Sequence, residues 1–180
     1  GLTDKYIGSW LRDTSVRRED IVLATKVSGR SERITWLPRE NNETPRVKRK
    51  HIMESVEHSL TRLGTDYIDL LQCHDIEFAE PDQIVTETLP ALVKLRDAGR
   101  IGHIGITGLP LKVFANVLDQ VGPGIVETVL SFCRYELNDT ALADGLPYFE
   151  SKQLGVINAA PTGMGLLTPR GVPDWHPATP

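Results

Sequence analysis

The sequence predicts an α/β fold built on parallel strands, and two observations carry that expectation. Five short apolar runs rich in β-branched residues alternate without interruption with longer segments of helical period. The runs are nearly continuous in apolar residues rather than strictly alternating, as suits strands buried on both faces. Strands separated by helices in this way lie parallel and are joined by right-handed crossovers.

The elements follow in order. A leading helix, about Thr3 to Arg12, carries Tyr6, Ile7, Trp10 and Leu11 on one side, so Tyr6 reads as a buried aromatic. The first strand is Ile21 to Lys26. After it, Val27 to Val47 is a long polar excursion with Pro38, Asn41, Asn42 and Pro45. Such a loop at a strand's C-terminal end either covers a site or grips a partner, or is a plain surface insertion. In Lys50 to Leu63 the residues Ile52, Val56, Leu60 and Leu63 recur at helical spacing, and Gly64 sits where a left-handed C-cap belongs. The second strand is Tyr67 to Cys73. The helix from Asp82 to Ala98 ends at Gly99, and Pro90 is expected to start or kink it, because proline offers no N–H. Strands at Gly102–Thr107, Thr128–Phe132 and Gly155–Ala159 follow, with helices around Val113–Val121 and Thr140–Lys152 between them.

Composition excludes several classes. With 20 Lys+Arg against 24 Asp+Glu, the net charge is -4, and the short run Lys48-Arg49-Lys50 reads as a solvated helix start. Nucleic-acid binding needs concentrated basic charge, so none is expected. No apolar run approaches the roughly 20 residues of a membrane span. Cys73 and Cys133 make neither a disulfide framework nor a four-cysteine zinc site. A reduced compartment is the expectation, cytoplasmic by default with a plastid open.

Ligands of parallel α/β folds meet the C-terminal ends of the strands. Lys26 closes the first strand and His74 follows the second. A lysine ending so apolar a run is either a snorkelling edge residue or part of a site; His74 alone is a site residue or a satisfied core or loop histidine. Together, at the ends of successive strands, they mark a candidate site. His51 and His58 lie two helical turns apart, too far to share a metal, and both read as solvated. Cys73 and His74 are adjacent and point to opposite faces of an extended chain, which argues against a thiol–imidazole nucleophile. Cys133 reads as a packed thiol. Gly102, Gly105 and Gly108 lack the spacing of a dinucleotide-binding fingerprint.

Three blocks carry a resemblance: Ala24-Thr25-Lys26, then Arg62-Leu63-Gly64-Thr65-Asp66-Tyr67-Ile68-Asp69-Leu70-Leu71 with His74, then Gly105-Ile106-Thr107-Gly108. Together they resemble the aldo-keto reductases, almost end to end. Cys73 to Phe78, Gly105 to Pro110, Met164-Gly165-Leu166-Leu167-Thr168 and Trp175-His176-Pro177-Ala178 look like the plant-type L-galactose dehydrogenase branch. Gly1 to Tyr6 and the segment after Lys26 look more like other branches. The resemblance implies a (β/α)8 TIM barrel, of which this chain would hold about five parallel strands, the third to the seventh. Residues 1–180 would then form an incomplete barrel domain with two open edges, prone to aggregate and inactive alone.

The implied activity is hydride transfer between NAD or NADP and a carbonyl or alcohol, with a sugar as the expected substrate. Lys26 is similar to the family lysine that lowers a tyrosine's pKa, and His74 to the histidine that orients the substrate carbonyl. The partnering Asp and Tyr are expected to precede Gly1. Thr107, Phe132, Ala160, Thr162 and Met164 match positions that hold the cofactor. Gly108 stands where many members carry asparagine, Phe132 where many carry glutamine, and Ala159 where many carry the tyrosine that stacks on nicotinamide. Asp75, where many carry tryptophan, suits a polyhydroxylated substrate or else caps the following segment. Two other readings stand beside this one. The first is a non-catalytic aldo-keto reductase-like subunit, as in potassium-channel β subunits, assembling through the 27–47 loop or open barrel edges. The second is a self-contained five-stranded doubly wound domain.

Overall fold

The computed structural model describes residues 2–28, 49–174 and 176. Helix α1 (Leu2–Asp13) leads into β1 (Ala24–Ser28), α2 (Arg49–Leu63) and β2 (Ile68–His74). Two short helical pieces, α3 (Pro81–Gln83) and the π-helical stretch Ile84–Thr88, run into α4 (Leu89–Asp97). Then come β3 (Ile101–Gly108), α5 (Lys112–Leu118), β4 (Thr128–Phe132), α6 (Ala141–Ser151) and β5 (Gly155–Ala159). The five strands form one sheet in the order β1-β2-β3-β4-β5, every pair parallel.

One face of the sheet carries the core. Leu71, Cys73, Ile104, Ile106 and Val129 are at most 1% exposed and pack with Ile52, Val56, Leu60 and Leu63 of α2 and Leu89, Leu92 and Leu95 of α4. Phe114 of α5 and Phe149 of α6 meet edge-to-face at 5.8 Å and close the same layer. The predicted C-caps are in place: Gly64 and Gly99 have φ of +71° and +68°, a conformation glycine adopts without strain. Gly64 and Thr65 N–H both donate to Leu60 O, while Gly99 and Arg100 N–H donate to Arg96 and Leu95.

Pro90 sits in the first turn of α4, directly after the π-helical stretch. Its missing N–H breaks the regular ladder, and the wider turn absorbs the break, so the proline both kinks and restarts the helix.

Strand β1 begins later than the apolar run suggests. Ile21 and Val22 lie outside the ladder and Leu23 joins it only through its carbonyl, which accepts from Leu70 N–H at 3.1 Å; side chains tie the rest, Arg18 Nη1 donating to Ile21 O at 2.9 Å and Leu23 N–H to Asp69 Oδ2 at 2.8 Å. Pairing starts at Ala24↔Leu70, and the strand runs on to Ser28, taking Val27 and Ser28 from the expected loop. Residues 29–48, the rest of that loop, lie outside the described residues.

Helix α1 docks on a different face from the one expected. Tyr6 is 74% exposed and Trp10 50%, whereas Asp4 and Gly8 are buried and Ile7 and Leu11 half-buried. A Cβ on Gly8 would lie 2.2 Å from Arg62 O and 2.9 Å from Leu63 Cα, so the backbones of α1 and α2 touch there. Asp4 accepts hydrogen bonds from Thr25 Oγ1 at 3.2 Å and Ser59 Oγ at 3.4 Å, drawing the same face inward. Close backbone approach and a buried carboxylate decide the docking, not the aromatic pair. His51 is likewise buried, not solvated, while His58 is exposed.

Two carboxylates fasten the N-terminal ends of the strands. Asp69 takes Leu23 N–H and a 2.6 Å ion pair from Arg18. Glu127 takes Arg96 at 3.0 Å, Ile104 N–H at 3.1 Å and His103 Nδ1 at 2.8 Å. Burial pushes both carboxyls up, but the hydrogen bonds outweigh it and both titrate below their ordinary values.

Two outcomes follow for the full-length protein. Carboxyls with depressed folded pKa values stabilise above the unfolded value, about 4, and lose that contribution as pH falls through the folded value. As pH falls below about 4, the wild-type urea midpoint therefore drops more steeply than that of Asp69→Asn or Glu127→Gln. At neutral pH, Gly8→Ala costs about 1–3 kcal/mol in urea unfolding through overpacking.

Candidate functional site

The face opposite the helices carries the site candidates. Paired residues in a parallel ladder point to the same side of a sheet, and that side repeats every second residue. Lys26 pairs with Gln72, Gln72 with Gly105, Gly105 with Thr128, and Thr128 with Gly155. These five residues form one level on the side away from the core. Two residues further along come Ser28, His74, Thr107, Leu130 and Ile157, and beyond them Phe132 and Ala159, which pair with each other. Lys26, His74, Thr107 and Phe132 thus share one face at the C-terminal half of the sheet. The Lys26 level lies about 7 Å below the His74 level, at 3.3 Å per residue. Lys26 is exposed, His74 and Phe132 half-buried, and Thr107 only 2% exposed.

The turn after β2 departs from extended geometry at once. Asp75 adopts left-handed φ/ψ of 52° and 57°. Its N–H donates to Thr107 Oγ1 at 2.9 Å, and its Oδ1 lies 3.1 Å from His74 Nε2. Asp75 makes no side-chain cap on the 3-10 turn Ile76–Phe78, and its carboxylate lies against His74. A second tether binds the same two segments: Leu109 N–H donates to Glu77 Oε1 at 3.1 Å. Gly108 fits under it, since a Cβ there would lie 3.1 Å from both Glu77 Oε2 and Val113 Cγ2. The small residue at position 108 thus has a local packing reason.

After β5 the chain turns tightly. Ala160, Gly163 and Met164 all have positive φ, of 57°, 58° and 53°, and Ala160 O accepts from Gly163 N–H at 3.0 Å. Thr162 O takes the N–H groups of Gly165 and Leu167. Met164 lines a cleft of about 560 Å³ with Thr168, Arg170 and Val172. Cys133 N–H donates to Ala159 O at 3.0 Å, which fastens the ends of β4 and β5. Ala160, Thr162 and Met164 therefore lie together, one turn beyond the sheet face that holds Thr107 and Phe132.

Gln72 was not singled out by sequence reasoning. It is 2% exposed and level with Lys26, and its Nε2 has no hydrogen-bond partner among the described residues. Glu77, which ties the two strand ends, was also missed. The available signal was an amide inside an apolar run for Gln72; nothing in the sequence marked Glu77.

Residues 1–179 match the aldo/keto reductase family. The chain belongs to the aldo/keto reductase family. It is 47% identical over 179 residues to the L-galactose dehydrogenase of Arabidopsis thaliana, a match that covers 99% of this chain and 53% of that protein. It is 29% identical over 175 residues to a probable voltage-gated potassium channel subunit beta of Oryza sativa, covering 93% of this chain and 49% of the relative. Among solved structures, an aldo-keto reductase of Bacillus halodurans in its holo form superposes with a TM-score of 0.72 at 28% identity, covering 96% of this chain and 53% of that one. The chain thus spans about half the length of the relatives it matches, and its five-stranded sheet matches part of the family's TIM barrel.

Neither thiol is set up as a nucleophile. Cys73 is fully buried, and burial together with the Glu136 carboxylate pushes the Cys133 thiol up from its ordinary value. Site-mapped alkylation of the native full-length protein with iodoacetamide at pH 7.5 should therefore label both more slowly than free cysteine.

Proposed function

We propose that the full-length protein carrying this chain is an NAD- or NADP-dependent oxidoreductase that moves a hydride between nicotinamide and a small carbonyl or sugar alcohol. The observation that carries this reading is the placement of Lys26, in the middle of β1, and His74, at the C-terminal end of the adjacent β2, one level apart on the sheet face opposite α2 and α4. Identity of 47% with a dehydrogenase of L-galactose supports a polyhydroxylated substrate. Keeping both side chains on that face favours catalysis over a purely structural subunit.

The residues present fit a nicotinamide. Thr107 Oγ1 accepts a hydrogen bond from Asp75 N–H, which leaves its hydroxyl hydrogen free to donate to a carboxamide oxygen. Phe132 offers an apolar surface beside the small Ala159. Ala160, Thr162 and Met164 form the turn that would receive the remainder of the cofactor. Bound nicotinamide supplies or accepts the hydride. Lys26 sets a positive charge on the face where a phenol must lose or gain a proton, and a nearby ammonium lowers a phenol's pKa from about 10. His74 orients the reacting oxygen, and the Asp75 carboxylate accepts hydrogen bonds from hydroxyl groups of the substrate. No helix among the described residues is long and apolar enough to cross a membrane.

Lys26→Met and His74→Ala in the full-length protein should each lower kcat/KM for sugar oxidation by about 10²–10⁴-fold, the usual worth of a positioned proton-transfer group. Binding of NAD(P)H, followed by fluorescence, persists in both. Wild-type turnover in both variants would overturn the assignment.

A further inference from the structure

We propose that Thr107 is a positioning residue that holds the Asp75 carboxylate against His74 Nε2, so that histidine and carboxylate meet a polyhydroxylated substrate as one preset unit. The inference deepens the oxidoreductase reading above and rests on it. Adjacent residues of an extended strand point to opposite faces, so His74 and Asp75 would ordinarily be kept apart. They meet because Asp75 takes a left-handed conformation, with φ of 52°. A non-glycine residue held there is strained and persists only where its surroundings fix it. Here the fixing contact is the 2.9 Å hydrogen bond from Asp75 N–H to Thr107 Oγ1. The tether from Leu109 N–H to Glu77 Oε1 keeps the ends of β2 and β3 in step, so Thr107 stays in place to receive it.

The chemistry of the pair follows from its geometry. A carboxylate only accepts hydrogen bonds, so Nε2 of His74, 3.1 Å from Asp75 Oδ1, carries the hydrogen. That choice fixes the ring's orientation and leaves Nδ1 as the second ring nitrogen. A carboxylate has lone pairs for more than one donor, and Asp75 and His74 retain 24% and 28% of their side-chain exposure. Both can therefore reach a ligand while paired. Hydroxyl groups that donate to the carboxylate and to the unprotonated Nδ1 of the imidazole match this arrangement; an aromatic aldehyde offers no such donors.

The test uses the full-length protein labelled with 15N-histidine. Long-range proton–nitrogen correlation spectra report which ring nitrogen is protonated, and His74→Gln identifies the His74 signals. Wild type should show a single form protonated at Nε2. Asp75→Ala should lose that fixed form, Thr107→Val should shift His74 in the same way, and Thr107→Ser, which keeps the hydroxyl, should retain the wild-type signature. A wild-type His74 spectrum in Thr107→Val would overturn the proposal. Kinetics give a second arm. Thr107→Val and Asp75→Ala should each raise KM for the sugar at least fivefold, with the double variant no worse than the poorer single one. Multiplicative effects would show that Thr107 does not act through Asp75. If wild type oxidises no sugar with either nicotinamide cofactor, the oxidoreductase reading fails, while the spectra still decide the Thr107–Asp75–His74 link.

Discussion

Lys26 on β1 lies beside Gln72 on β2, and Gln72 beside Gly105 on β3. This register is the constraint on which the proposed site depends. Slipping a parallel strand by one residue turns every side chain to the other face. A slip of β1 would send Lys26 toward the helices and bring Val27 out of the core. A slip of β3 would separate Thr107 from Asp75. The register is defended at the opposite end of the strands. Asp69 binds Leu23 N–H and Arg18, so β1 can enter the sheet only at Ala24↔Leu70. Glu127 does the same between β3 and β4 by taking Ile104 N–H together with Arg96 and His103.

The two ends of the strands therefore do different work. At the N-terminal ends, carboxylates that accept hydrogen bonds across strands, and titrate below their ordinary values for that reason, hold the alignment. Between them, the apolar face of β2, β3 and β4 buries Leu71, Cys73, Ile104, Ile106 and Val129 under α2 and α4. At the C-terminal ends, backbone in left-handed conformation recurs at Asp75, Cys133, Ala160 and Met164. Strain of this kind collects at functional sites because the rest of the structure over-determines it. The register at one end sets which side chains the other end presents.

Much of this was legible in the sequence, for identifiable reasons. Continuous apolar runs marked buried strands, and β4 and β5 begin and end where those runs do. Glycines 64 and 99 marked helix ends because no other residue takes positive φ so freely. Lys26 and His74 stood out as polar residues after apolar runs, although β1 runs two residues past Lys26 and His74 is the last residue of β2 itself, and the family blocks around them were specific. Other features were hidden. Ile21 to Leu23 are as apolar as a strand, yet side chains of Arg18 and Asp69 take Ile21 O and Leu23 N–H, the groups that would have extended the ladder. Tyr6 has the spacing of a buried residue, but Gly8 and Asp4 bring a different face of α1 inward. The contact between His74 and Asp75 depends on one backbone angle, which no side-chain pattern records. Gln72 is notable for its level beside Lys26 and Glu77 for its bond to Leu109 N–H, and periodicity along one strand is blind to both.

In the proposed function, the sheet face opposite α2 and α4 receives the nicotinamide at the C-terminal ends of β2, β3 and β5. Hydrogen–deuterium exchange of the full-length protein, with and without saturating NADH or NADPH, tests it most directly. The account predicts slower exchange on cofactor binding in the backbone amides of residues 74–78, 105–109 and 159–168, with α2 and α4 unchanged. Protection confined to the helices, or none in those three segments while the cofactor is bound, would contradict it.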